Sequence, residues 1–456
     1  MVDERIKALF EPRSVAVIGA SRNPKKTGHI ILKNIIDAGF KGRIYPINPK
    51  AGEILGLKAY PSIKDVPDDV DLAVFVIPAR FVPDAMEEAG EKGVKAAVII
   101  SGGFRELGTP EGRELEERLK AVARKHGIRF LGPNCQGVNN PHLGLCASWP
   151  LIKAAGPLAI VSQSGTFAAT FEYWAEREGI GISKMAALGN KADINEIDLL
   201  EYLGEDPNTK AVALYIEAVS DGRRFLEVAE EVGKKKPVIV FKSGRTESGA
   251  KAVASHTGSL AGSYKVYLAA FKKVGAIPVD SLEELYDYAK GLSMLPRKLV
   301  RTVQIVTSSG GSGIVSTDYA EMLGFRMNEL KEGVAAALRS KLPSHCIIKN
   351  PLDLTGDADA ARYDVALEEL FKDENIDAII TIFGDPIEGA AEVVEKWYGK
   401  GKVIVPIYLG GGEVEDVERL KMHKKGIPVF PTPERGVKVL RALRDYVEWL
   451  RSRGLA

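Results

Sequence analysis

Val238-Ile239-Val240-Phe241 runs directly into Lys242-Ser243-Gly244-Arg245, and eleven residues later the chain reads His256-Thr257-Gly258-Ser259-Leu260-Ala261-Gly262. A β-branched run that ends in a glycine-punctuated segment is the signature of an α/β unit whose ligands lie beyond the strand's carboxyl end. Gly244, Gly249, Gly258 and Gly262 bracket the single histidine, and Ala252, Ala254, Ser255, Thr257 and Ser259 crowd it with small side chains. The stretch reads as a long, mobile loop presenting one imidazole. Histidine serves there as base, nucleophile or phosphoryl acceptor near neutral pH.

Outward from this point the same grammar repeats. Short runs such as Ser14–Ile18, Arg43–Ile47, Leu72–Ile77, Ala96–Ile100 and Arg129–Leu131 alternate with amphipathic stretches. Such alternation predicts α/β architecture with parallel sheets. A Rossmann-like domain is expected over 1–148. Its first turn, Gly19-Ala20-Ser21, departs from the dinucleotide pattern, and Asn48-Pro49-Lys50 stands where a nicotinamide site needs an acid. Lysine there suits a phosphate.

A second unit, expected over 149–296, opens with Leu158–Val161 and the turn Ser162-Gln163-Ser164-Gly165-Thr166 before a helix. Hydroxyls and free amides at a helix start make an anion site. Glu217 ends the run Ala211–Ile216 at the edge where α/β ligands bind. A third unit, expected over 297–456, repeats the second, with Val306-Thr307-x-Ser309-Gly310 answering Val161-Ser162-x-Ser164-Gly165. It carries Leu409-Gly410-Gly411-Gly412 in place of the histidine segment. His423, in a Lys/Glu-rich stretch, reads as a solvated helix residue.

Composition narrows the function. Lys+Arg 62 against Asp+Glu 61 leaves a net charge of +1, which gives no electrostatic case for nucleic acid. No apolar run is long enough to span a bilayer, and the N-terminus lacks a signal pattern, so a cytoplasmic chain is expected. Three cysteines are too scattered for a disulfide framework, and the six histidines form no metal-ligand pair, so no metal is expected on this chain. Three glutamines beside abundant Lys and Glu make a composition found in hyperthermophiles.

Gly132-Pro133-Asn134-Cys135, Ser162-Gln163-Ser164-Gly165-Thr166 and Ser255-His256-Thr257-Gly258 together resemble the nucleoside-diphosphate-forming acyl-CoA synthetases, the superfamily of succinyl-CoA ligase. The three-domain order is similar to that of the archaeal ADP-forming acetyl-CoA synthetase α chains. The resemblance implies a CoA-binding domain followed by two flavodoxin-like ligase domains. It implies conversion of acyl-CoA, ADP and phosphate to acid, CoA and ATP through acyl phosphate and a phosphohistidine. It assigns His256 as phosphoryl carrier and Glu217 as the carboxylate that holds it. Phosphate contacts map to Ser162, Gln163, Ser164, Gly165, Thr257, Gly258 and, through the helix expected to follow it, Gly384. CoA contacts map to Gly19, Ala20, Ser21, Arg22, Asn23, Lys50, Pro78, Ile100, Ser101, Gly102 and Asn134. With no nucleotide domain after Trp449, ADP and Mg2+ are expected on a separate ATP-grasp β subunit, in an α2β2 assembly.

Ala169 stands where succinyl-CoA ligases carry a tyrosine, which disfavours succinate. A succinyl-CoA ligase-type subunit and a non-catalytic CoA-binding module are the alternatives.

Overall fold

The computed structural model describes residues 3–257 and 263–455, with the side chains of 254–257 outside that description. Three main sheets account for most of the strands. The first is all parallel, in the order Arg43–Ile47, Ser14–Ile18, Leu72–Phe75, Ala96–Ile99, Arg129–Leu131. The second runs Ile277–Val279, Val238–Lys242, Ala211–Ile216, Ala155–Ser162, Ile182–Ala187, then Gly137–Asn140 and Leu145–Ala147. Its first five strands are parallel, and the last two pair antiparallel. The third, also parallel, orders Leu352–Asp353, Val303–Thr307, Ala378–Phe383 and Val403–Tyr408. The central strands are buried end to end, as expected of parallel strands covered by helices on both faces.

Two compact units result. One comprises residues up to Arg177 together with Gly181–Leu285, and the other Glu178–Ile180 with Tyr286–Ala456. The first two expected domains therefore share one unit, and sheet membership changes at Gly137, before the expected division at 148. The physical reason is a common core. Val15, Ile31 and Leu32 belong to the same buried cluster as Val138, Leu145, Val161, Leu214 and Val240. Buried amides bond across it as well, Asn34 Nδ2 to the Ser148 carbonyl at 2.8 Å and Asn140 Nδ2 to that of Phe10 at 2.9 Å. The second unit has its own core of Val306, Leu352, Tyr363, Phe383, Tyr408 and Val429.

The histidine segment differs from the expected loop. A helix spans Glu247–Thr257. The alanines that make a thin core are also strong helix formers, and the Thr246 hydroxyl accepts the Gly249 amide at 3.1 Å. Gly249 thus lies in the first helical turn. Gly244, with φ of +73°, supplies the left-handed residue that turns the chain off its strand.

His423 is also not solvated. It is buried on the helix Gly412–Lys424. The Val429 amide donates to its Nε2 at 3.2 Å, so Nδ1 carries the proton and donates to the Glu178 carbonyl at 3.0 Å. Nearby, the fully buried Lys290 ammonium meets Glu178 Oε2 at 3.0 Å and the Val429 carbonyl at 2.9 Å. Burial, reinforced by Lys290, pushes His423 down to about 4.

The unfolded histidine binds a proton near 6.5 and the folded one only near 4, so stability is complete above the first value and is lost as pH falls through that window. Thermal unfolding of the full chain should show a falling midpoint over this range. The slope from one such group approaches about 1.4 kcal/mol per pH unit. His423→Gln should flatten that part of the profile; an unchanged slope would show that His423 does not set it.

Candidate functional site

Each parallel sheet has a point where its strand order reverses, and ligands of such sheets bind beyond the carboxyl ends there. In the first sheet this falls between Ser14–Ile18 and Leu72–Phe75. A crevice of about 750 Å³ opens at that point, lined among others by Gly19, Ala20, Ser21, Lys50, Pro78 and Lys25. Gly19 is at φ +95°, and a Cβ on it would meet the Val76 carbonyl oxygen at 2.4 Å, so only glycine fits. Asn48 Nδ2 donates to the Ala20 carbonyl at 2.7 Å and holds the two loops together. The crevice thus gathers five of the sequence-predicted CoA residues. Arg22 and Asn23 do not line it. Asn23 Oδ1 accepts the Lys25 amide at 3.0 Å and shapes the turn.

In the second sheet the reversal lies between Ala155–Ser162 and Ala211–Ile216. A cavity of about 780 Å³ there brings together Gln163, Ser164, Gly165 and Thr166 with Glu217, and adds Ile100, Asn134, Trp149 and Ala169. The helix Gly165–Arg177 begins at this cavity. Ser164 Oγ accepts the Phe167 amide at 3.4 Å, while the Gly165 and Thr166 amides have no partner among the described residues. Two free amides at a helix start favour an anion.

Ser162 plays a different part from the phosphate contact expected of it. It is wholly buried and does not line the cavity; its hydroxyl donates to the Ser164 carbonyl at 2.6 Å and accepts the Ser164 amide at 3.1 Å. Gln163 Oε1 is likewise committed, accepting the Glu217 amide at 2.6 Å and the Ala218 amide at 3.1 Å. Ser162 shapes the turn, and Gln163, which lines the cavity, also ties that turn to Glu217. Glu217 is 5% exposed. Tyr215 beside it has its phenol raised by burial, and the charge and hydrogen bond of Glu217 raise it further.

On the other wall Asn134 sits at φ +57° after the cis bond Gly132–Pro133, and its amide donates to the Ser101 carbonyl at 2.9 Å. Ser101 and Gly102 support this wall without lining the cavity; the Ser101 hydroxyl is spent on the Ile77 carbonyl at 2.5 Å. Cys135 is pushed up to about 12 by burial, which makes it an inert thiol.

The structure adds residues that motif reading passes over. Asn190 Nδ2 donates to Glu106 Oε2 at 2.6 Å and to Glu116 Oε2 at 2.9 Å. Burial pushes both carboxyls up. In Glu106 the bonds from Asn190 and the Gly103 and Phe104 amides outweigh it and lower the group, whereas Glu116 stays raised. Lys191, at φ +51°, donates to Glu196 at 2.9 Å and to the Ala218 carbonyl at 2.7 Å. The strand Ile182–Ala187 followed by Gly189-Asn190-Lys191 repeats the strand-then-turn pattern of the other edges, and that was the available signal.

The backbone of His256 and Thr257 closes the helix Glu247–Thr257; their side chains, and all of Gly258, lie outside the described residues. Gly384, in the other unit, ends the strand Ala378–Phe383, and its amide already donates to Ser308 Oγ at 3.0 Å. The helix expected to follow it begins at Ala390, six residues on.

Comparison with known proteins gives these sites a family. Residues 13–141 match the CoA binding domain, 155–292 the succinyl-CoA ligase like flavodoxin domain, and 303–455 the ligase-CoA domain. The chain is 45% identical to the acetate–CoA ligase [ADP-forming] I subunit alpha of Pyrococcus furiosus, over 97% of this chain and 98% of that one. It is 42% identical to acetate–CoA ligase [ADP-forming] I of Archaeoglobus fulgidus, over 97% of this chain but 64% of that longer protein. Among solved structures, the dinucleotide forming acetyl-coenzyme A synthetase 1 of Ca. Korarchaeum cryptofilum, in complex with phosphate and ADP, superposes with a TM-score of 0.90 at 37% identity, covering 99% of both chains. By identity sustained over nearly its whole length, the chain belongs to the family of ADP-forming acetate–CoA ligase alpha subunits.

Proposed function

We propose that the chain is the alpha subunit of a cytoplasmic ADP-forming acyl-CoA synthetase, with acetyl-CoA as its first candidate substrate. The observation that carries this reading is the shared cavity. The Gly165 and Thr166 amides, without a partner among the described residues, the Glu217 carboxylate, and the CoA-side residues Ile100 and Asn134 all open onto it. The CoA nucleotide takes the first crevice, where Lys50 and Lys25 supply positive charge, and the thioester reaches Asn134.

Phosphate held by the helix amides attacks the thioester carbonyl. The C–S bond breaks, and the sulfur leaves as the thiol with the proton that phosphate gives up. The products are acyl phosphate and CoA. A ring nitrogen of His256 then attacks phosphorus and releases the acid as its carboxylate. Glu217, bound to the other ring nitrogen, favours the nucleophilic tautomer and balances the charge of the phosphorylated ring. The name "subunit alpha" carried by the Pyrococcus relative supports a separate partner, which we assign as an ATP-grasp β subunit holding ADP and Mg2+ in an α2β2 assembly. Ala169 in the cavity wall leaves room on the acyl side and fits acids other than succinate.

His256→Ala should abolish ATP formation while leaving exchange of phosphate into acyl phosphate intact, because that exchange precedes transfer to the ring. ATP formation by the folded variant would refute the assignment. Glu217→Gln should slow phosphorylation of His256 by roughly a hundredfold, the scale of a lost acid–base partner, with CoA affinity unchanged. Collapse of CoA binding at an unchanged phosphorylation rate would instead place Glu217 at the other site.

Lys50→Ala should weaken CoA by roughly 1–3 kcal/mol, the range of one charge-assisted hydrogen bond, as read by calorimetry. Pantetheine substrates should lose less; equal losses for both would move Lys50 away from the nucleotide end.

A further inference from the structure

Lys191 lines the same cavity as the start of the helix Gly165–Arg177, and it stands at φ +51°. Glycine takes that left-handed conformation without strain, and lysine does not. Strain of this kind persists only where the surrounding structure fixes it, and it gathers at functional sites. Three walls of the cavity do the fixing. The Leu188 amide donates to the Ser162 carbonyl at 2.8 Å, and the Asn190 amide to the Pro133 carbonyl at 2.9 Å. A Cβ on Gly189 would meet that Pro133 oxygen at 2.3 Å, so the loop lies directly against the wall that carries Asn134. The Lys191 amide closes the turn on the Leu188 carbonyl at 3.1 Å, and its ammonium reaches the Ala218 carbonyl at 2.7 Å.

The Lys191 side chain is only 8% exposed and pairs at 2.9 Å with the buried Glu196 carboxylate, which does not line the cavity. An ammonium has three protons to place. Glu196 and the Ala218 carbonyl take two of them, and among the described residues no acceptor takes the third. The other cations on the cavity are better solvated. Arg105 meets Glu116 Oε1 at 3.3 Å with its side chain 41% exposed, and the exposed Arg113 donates to the Gly108 carbonyl at 2.9 Å. Two acids, Glu106 and Glu217, also face this space. A doubly charged anion entering between them needs a cation held away from water, where the attraction is strongest. Lysine, a compact point charge, suits phosphate in that role.

We propose that Lys191 binds the incoming inorganic phosphate directly, through its third proton, and adds a full charge to the dipoles of the Gly165 and Thr166 amides. The inference rests on the reading of this cavity as the place where phosphate meets the thioester. It explains why a lysine is kept at a position whose backbone favours glycine.

Replacing Lys191 alone would strand the buried Glu196 carboxylate, so the test is made on a Glu196→Gln background. The unsubstituted full-length chain, Glu196→Gln and Lys191→Met/Glu196→Gln are compared. Phosphorus NMR follows the binding of inorganic phosphate, calorimetry follows CoA, and labelled phosphate reports exchange into acetyl phosphate. Glu196→Gln should bind phosphate at least as tightly as the unsubstituted chain, because the ammonium loses a competing charge. The double variant should bind phosphate more weakly by roughly tenfold or more, the scale of one charge-assisted hydrogen bond, with CoA affinity unchanged.

An unchanged phosphate affinity in the double variant would overturn the proposal. So would equal weakening of phosphate and CoA, the mark of a loosened frame. Either result would leave the reading of the cavity standing, provided the unsubstituted chain exchanges labelled phosphate into acetyl phosphate. Absence of that exchange in the unsubstituted chain would overturn both together.

Discussion

One buried side-chain amide ties the chemistry of this protein together. Gln163 Oε1 takes the backbone N–H groups of Glu217 and Ala218, at 2.6 and 3.1 Å, and so joins the end of one central strand to the turn that follows the other. Without it, the start of the helix Gly165–Arg177 and the Glu217 carboxylate would sit on two turns not joined by this side chain. With it, the helix start and the Glu217 carboxylate open onto one cavity. Hydrogen bonds that order a site in this way contribute more through geometry than through their net energy of about 1 kcal/mol.

The same turn is built in the other unit with different atoms. Thr307 Oγ1 donates to the Ser309 carbonyl at 2.8 Å and accepts its amide at 2.9 Å, matching Ser162 and Ser164 closely. The second copy has no counterpart of Glu217, since Phe383 is followed by Gly384 and Asp385. It keeps the device that aims a helix start while lacking a carboxylate at the matching strand end. Its interior is held instead by buried charge, with Lys290, Glu178 and the neutral His423 satisfying one another.

Much of this was legible before any coordinates. The β-branched runs mark the strands because parallel strands are buried on both faces and need apolar side chains throughout. Glu217 stands out because a charged residue at the end of such a run has to face a ligand edge. The Ser-x-Ser-Gly turn and its Thr-x-Ser-Gly repeat were readable for the same reason. What escaped the sequence depends on contacts between distant positions. Nothing in the stretch from Glu418 to Lys425 shows that His423 faces inward, because its partners lie at Glu178 and Val429. Glu106, Glu116 and Asn190 form a network only once the first two sheets share a core. Ser162 reads as a cavity residue because its polarity is visible in sequence and its internal partner Ser164 is not. The helix Glu247–Thr257 was missed because alanine and glycine so close together argue in opposite directions, and the Thr246 cap tips the balance.

The central claim is that acyl-CoA and phosphate together, with no nucleotide present, put a phosphoryl group on His256. Mass spectrometric mapping of the full-length chain after incubation with acetyl-CoA and inorganic phosphate tests it most directly. The account predicts an acid-labile phosphate on the peptide containing His256, formed only when both substrates are present and removed by excess CoA and acetate. An unmodified His256, or a phosphate on another residue, would contradict it.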